Sequence, residues 1–421
     1  MLNSDPSGLK RILAFLAVAL ITGCGGGTEA RKDGPAVKAA APQKALRAEG
    51  VYIDEKILSD HGFLPLWTKQ PTEGAFHSAF LNTEGIFAVT KPPAGSTACR
   101  LIRYNLNDGL PAWIFELEAP LKYPPVAFRY GPSSERTRTD EVYLLQKDVM
   151  HCVTLQDGAE LWRTPLPFSV SCAPVVDERQ YYMGSFDWRI YAMPKNKPYP
   201  VWPYITGGIV QSAGAIGTGG QIYFTSTDKS VYRLESTGWV AGRSWRFVTG
   251  GRIMGSPVYF SRWTFVGSSD YKLYCFEVDG THAWEFPMES PIYGTPVVMS
   301  FRPEKPLVFC TSLEERSGQE KEILWVLDAK TGQLQWRRDN VDRVLTIGKR
   351  AVYLLQKGTG KEPRRIVAVD ALKGEELTSL PVEGFEIIPT NDADHGTNPK
   401  TRGTIFLISK AGSMQAIIEK P

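Results

Sequence analysis

Several signatures from which chemistry is usually read are missing from this chain. Its five histidines (His61, His77, His151, His282 and His395) are too far apart in sequence to make a local metal motif. No Cys-x-x-Cys-His segment is present to carry a covalent haem, and no His-Glu-x-x-His or Gly-x-Ser-x-Gly to mark two common hydrolase classes. The glycines at 207–208 and 214–220 lack the Gly-Lys-Ser/Thr ending of a phosphate loop, and close backbone approach explains them instead. Charge of one sign is lacking too. With 48 basic against 45 acidic residues and a net charge of +3, nothing argues for a nucleic-acid partner. The apolar run at 12–21 is ten residues long, too short for a membrane-spanning helix. Besides Cys24 there are five cysteines, Cys99, Cys152, Cys172, Cys275 and Cys310, an odd number that cannot all pair within one chain. Cys152 and Cys172 fall in neighbouring repeats, but on strands expected at different radial positions.

What the chain does have begins with a targeting segment. Lys10 and Arg11 precede the apolar run, and small residues and a cysteine follow it directly, the pattern of a signal peptide. The sequence LITGC resembles a bacterial lipobox, which implies cleavage after Gly23 and a lipid on Cys24. Gly25 follows, where an Asp would signal inner-membrane retention, so the resemblance implies an outer-membrane anchor on the periplasmic side. Residues 24–58 begin rich in Gly, Ala, Pro and charge and read as a tether, and residues 59–421 as the folded body.

That body repeats itself. The stretch GSSDYKLYCFEVDGTHAWEF at 267–286 has close copies around Asp187 and Asp228, placing three turn aspartates (Asp187, Asp228, Asp270) 41 and 42 residues apart. Tryptophans recur with them: Trp67, Trp113, Trp162, Trp202, Trp245, Trp284 and Trp336 are separated by 46, 49, 40, 43, 39 and 52 residues. A period of this size, filled with short alternating strands, predicts an all-β propeller of four-stranded antiparallel blades, with the tryptophans packed between blades. The final unit is one strand short, and the strand around Trp67 is one in surplus. Placing that early strand on the outside of the last blade closes the ring at eight blades, with seven as the competing count. Residues 170–176, 209–216 and 253–260 read as innermost strands. Asp157-Gly158 and Asp279-Gly280 read as two-residue hairpin links.

Units of the form G-S-x-D-x-x-L-Y, followed by G-x-x-x-W, resemble the pyrroloquinoline-quinone-type propeller repeat. Together with the lipobox, the chain resembles the outer-membrane assembly lipoproteins of the BamB family over residues 62–421. The resemblance implies a non-enzymatic, monomeric, lipid-anchored scaffold that binds an envelope protein, possible partners including the complex that assembles outer-membrane β-barrels, and that takes no cofactor. Two alternatives are a periplasmic quinone-dependent oxidoreductase and a propeller binding a cell-envelope ligand. The first is weakened because the chain has no adjacent cysteine pair of the kind common in such enzymes. An aspartate recurring three times in one turn is a turn-former, where a catalytic base would be needed once. The insertions 129–140, 313–322 and 391–402 are candidate specificity loops. Trp188 and Tyr271, aromatic residues in turns, are candidate interface contacts.

Overall fold

Short runs rich in β-branched and aromatic residues, many ended by Asp, Asn or Gly, form thirty-one strands among the described residues. The computed structural model describes residues 50–420 apart from 71–73, 132–137, 237–239, 317–318, 359–361, 392–394, 397 and 399–400. The expected signal peptide, Cys24 and most of the tether lie outside the described residues. Six-residue α1 (Glu55–Asp60) precedes the strands, and among the described residues no helix is long and apolar enough to cross a membrane.

The strands make eight antiparallel sheets. Seven are four-stranded blades built from consecutive strands, spanning 76–117, 126–165, 175–205, 215–248, 258–287, 297–339 and 341–381. The eighth combines strands from both ends of the body. Phe63–Lys69 pairs with Met414–Glu419, which pairs with Thr404–Ile408, and Ile387 bridges Ile408 in the innermost place. The early strand therefore completes the last blade from outside, and the count is eight, not seven.

The core is divided between blades. Eight clusters of buried apolar side chains each join one blade to the next. One of them packs Trp67, Phe406 and Met414 of blade 8 against Phe76, Ile86 and Tyr104 of blade 1. Strands near the hub are covered on both faces, so Gly85–Thr90 is buried throughout. Outermost strands have exposed edges and alternate, as in His282–Pro287.

A latch recurs at five of these interfaces. An outer-strand tryptophan donates its indole N–H to a carbonyl in the next blade: Trp67 to Leu106, Trp113 to Leu155, Trp245 to Val278, Trp284 to Ala329 and Trp336 to Ala371, at 2.8–3.2 Å. A left-handed glycine from the same loop lies against the indole face. At Gly158, with φ +71°, a Cβ would come within 2.8 Å of Trp113. These loops are longer than the expected two-residue links. Thr154 N bonds Ala159 O, and Glu277 N bonds Thr281 O, leaving four and three residues in the turns. The extra length carries the glycine under the neighbouring indole, while Asp157 and Asp279 cap the backbone N–H groups of Ala159 and Thr281.

The innermost strands are shorter than expected: Val175–Val176, Ala215–Ile216 and Val258–Phe260. Ahead of them, hydroxyls do part of the bonding. Ser171 bonds the Val210 carbonyl, and the Gly255 carbonyl accepts at 2.8 Å from Thr225 at the end of the second strand of blade 4, each bond crossing between blades. The segment 313–322 is not a loop. It lengthens a hairpin of blade 6, in which Lys305–Arg316 pairs with Gln319–Asp328 as far as Arg316 and Gln319.

Candidate functional site

Antiparallel order gives the ring two unlike faces. One, here the connection face, carries the crossovers from each outer strand to the next blade and the turns between second and third strands. The other, the hairpin face, carries the remaining turns.

The three turn aspartates all lie on the connection face, and each is followed by a residue in the left-handed region: Trp188 at φ +67°, Lys229 at +72° and Tyr271 at +71°. This conformation is unfavourable for a bulky side chain and persists where surroundings over-determine it. Here the next crossover holds it. Trp188 O accepts from the N–H and hydroxyl of Thr206, Lys229 O likewise from Thr249, and Tyr271 O from Met288 N. The aspartates tighten the same turns. Asp228 accepts from Tyr232 and from Gly207 N at 2.7 Å, and Asp270 from Tyr274 and from Gly250 N at 2.6 Å. Burial alone would raise the Asp228 carboxyl, but donors from Tyr232, Gly207 and Ser230 outweigh it and hold the group below the ordinary carboxylate range. Asp187 is lowered against burial in the same way, by Tyr191, Ser185 and Arg189. All three carboxylates are occupied by turn and crossover donors.

The turns aim their left-handed residues outward. Trp188 is 54% exposed and Tyr271 48%. Around them on the same face, Phe186, Ile205, Met254 and Tyr293 are exposed as well, Ile205 at 68%. These side chains come from blades 3 to 5 and the crossover into blade 6, making a discontinuous apolar and aromatic surface of a kind associated with interaction sites. Lys122 reaches over Phe186 at 5.6 Å from the ring centroid. The lengthened blade 6 hairpin rises from the same face, next to Tyr293, with Leu313 N bonded to Pro291 O.

The described chain also begins on this face. Val51 N bonds Ser413 Oγ at 3.0 Å, in the second-to-third turn of blade 8, and Ile53 exchanges two hydrogen bonds with the Gln415 amide. Gly50 lies against Gln70 and Ser413.

The other candidates are scattered. Trp162 is latched differently from the five above, stacking on Tyr181 at 6.3 Å, and Trp202 donates to Ser236 Oγ. The start of the 129–140 loop is pinned through Arg129 to Glu84 and Tyr130 to Glu141, and Asp140 at its end accepts from Tyr130 N, its middle lying outside the described residues. From 391–402, His395 bonds Val298 O and Arg402 bonds the carbonyls of Gly348 and Phe301, so this insertion is fastened across blades 7 and 6. The five cysteines of the body are free and buried. Burial pushes the thiols of Cys172 and Cys310 up to about 12 and raises those of Cys99, Cys152 and Cys275. Among the described residues, no group of three or more His, Cys, Asp or Glu is placed to hold a metal. Reasoning from sequence missed Phe186, Ile205, Met254 and Tyr293. The available signal was the repeated Thr-Gly-Gly at 206–208 and 249–251, which marks the crossovers behind the aromatic turns.

Known proteins can be set beside this geometry. A family profile described as outer membrane protein assembly factor BamB matches residues 65–241 and 236–418. Among solved structures, BamB from Moraxella catarrhalis is similar with a TM-score of 0.58 and 11% identity, over 85% of this chain and 97% of that one. The computationally designed Ika8 protein is similar with a TM-score of 0.54 and 11% identity, over 84% of this chain and 99% of that one. Quinohemoprotein alcohol dehydrogenase ADHIIG from Pseudomonas putida HK5 is similar with a TM-score of 0.53 and 10% identity, over 86% and 77%. At such identities these likenesses concern the fold. No curated protein matches the chain.

Proposed function

The chain belongs to the family of the outer membrane protein assembly factor BamB, and from that membership we propose that it is a lipid-anchored scaffold at the periplasmic side of the outer membrane. It docks an envelope protein partner, the machinery that assembles β-barrel proteins, through the connection face of blades 3 to 6. Cys24 carries the lipid. The observation that carries this reading is the pair of large aromatic side chains, Trp188 and Tyr271, held outward by left-handed turns that glycine would adopt at less cost. Rigid rings presented at low entropic cost are what a binding surface needs. The described residues begin on the same face, at Gly50 and Val51, which supports a docking surface on the side from which the anchored segment leads.

Nothing in the site favours the oxidoreductase alternative. The chain has no adjacent cysteine pair. Its described residues gather no three-ligand acidic group to hold the metal that accompanies a quinone in such enzymes.

The test is recovery of partners from native membranes by the tagged chain and by a W188E/Y271E double variant. Both side chains are exposed, so stability should change by no more than about 0.5 kcal/mol per site. The expected result is a folded double variant that recovers at least tenfold less of the partner. Undiminished recovery would sink the reading.

A further inference from the structure

Blade 3 departs from the repeat on the hairpin face. Where five other blades turn with a glycine set beneath an indole, its loop at 195–201 is KNKPYPV, with Asn196 in the left-handed conformation and no glycine. Departures from a local rule in an otherwise consistent fold are where function is expected. Beside this loop lies a cavity of about 840 Å³, within the size range that takes a small-molecule ligand. Its walls are the loop itself with Tyr199, the first turn of blade 3 with Asp177 and Arg179, and the first turn of blade 4 at Gly219 and Gly220.

The floor is fixed by a connected network. Buried Gln180 donates to Tyr182 Oη at 2.7 Å and Ser236 Oγ at 2.6 Å, and Tyr182 donates to Asp177 at 2.7 Å. Asp177 also accepts the backbone N–H groups of Arg179 and Gln180. Ser236 Oγ accepts from Trp202 as well. A network so connected holds its polar groups in place before a ligand arrives.

We infer that this cavity binds an uncharged saccharide. Its four charged lining residues balance, Asp177 and Glu178 against Arg179 and Lys197, which gives no net attraction to an anion or a cation. Tyr199, 58% exposed, offers an aromatic face to the C–H face of a sugar ring, with the apolar rings of Pro194 and Pro200 beside it. The guanidinium of Arg179 and the carboxylate of Glu178 offer donors and acceptors to sugar hydroxyls, which donate and accept together. A peptide cannot add here as a strand, because the strands that reach the cavity, Gln180–Gly184, Arg189–Pro194 and Ser230–Ser236, are paired on both sides. The site lies on the face opposite Trp188 and Tyr271, so it stands independently of the docking surface.

The test is saturation-transfer NMR on the full chain in detergent, with chitotriose, maltotriose and cellotriose as probes and trialanine as the control. Expected is binding of at least one trisaccharide, weakened tenfold or more by Y199A and by R179A and unchanged by W188E. All three substitutions are at exposed sites, so loss of folding does not confuse the outcome. No trisaccharide binding at millimolar concentration, binding untouched by Y199A, or binding of trialanine alone would overturn the inference.

Discussion

Gly158 beneath Trp113 shows how single residues set the joints of this ring. The glycine is left-handed, and a Cβ there meets the indole at 2.8 Å, so a side chain is opposed both by its own backbone and by its neighbour. Gly62 is equally left-handed at φ +82°, with no atom within 4 Å of its would-be Cβ. The two positions separate backbone cost from packing cost. G62A should lose about 1 kcal/mol from conformation alone. G158A should lose about 2–4 kcal/mol, because overpacking adds to the same backbone penalty. Chemical denaturation midpoints of the two variants check this, and equal losses would mean that the glycine contributes nothing to the latch. The spacing of these tryptophans was legible in the sequence. Their glycine partners were not, because each Gly and its Trp lie some 40 residues apart and look like unrelated turn and core residues until the blades are set side by side.

Among elements, the informative one is Phe63–Lys69. It is the outer strand of a blade whose other strands lie at the far end of the chain, and its pairing with Met414–Glu419 leaves no inner strand edge open. Removing residues 50–69 should expose the Met414–Glu419 edge together with the blade 8 side of the cluster around Trp67. The expected outcome in analytical ultracentrifugation is concentration-dependent association, with a lower thermal midpoint. A monomer of unchanged stability would mean that closure rests on something else. This strand could be placed from the sequence by counting, since one end had a strand too many and the other one too few. The lengthened blade 6 hairpin was hidden because LEERSGQEKE, nearly all polar, has no apolar alternation to betray strands standing clear of the core. The innermost strands were overestimated for a related reason. There Ser171 bonds the neighbouring blade through its hydroxyl and Gly255 accepts the hydroxyl of Thr225 from the blade before, in place of ladder bonds, and hydropathy does not register that exchange.

Across the whole molecule, the ring separates two surfaces that blade order alone makes different. Trp188 and Tyr271 were visible from the sequence as aromatics in turns. That they share one face with Ile205, Met254 and Tyr293, and with the start of the described chain, depends on how the blades close and appears only in three dimensions. The most direct test of the docking face is site-specific photo-crosslinking in native membranes, with a photoreactive residue placed in turn at Trp188, at Tyr271 and at exposed Lys330 on the opposite face. Expected is capture of the same outer-membrane protein from the first two positions and none from Lys330. Capture from Lys330 alone, or equally from all three, would contradict docking through this face.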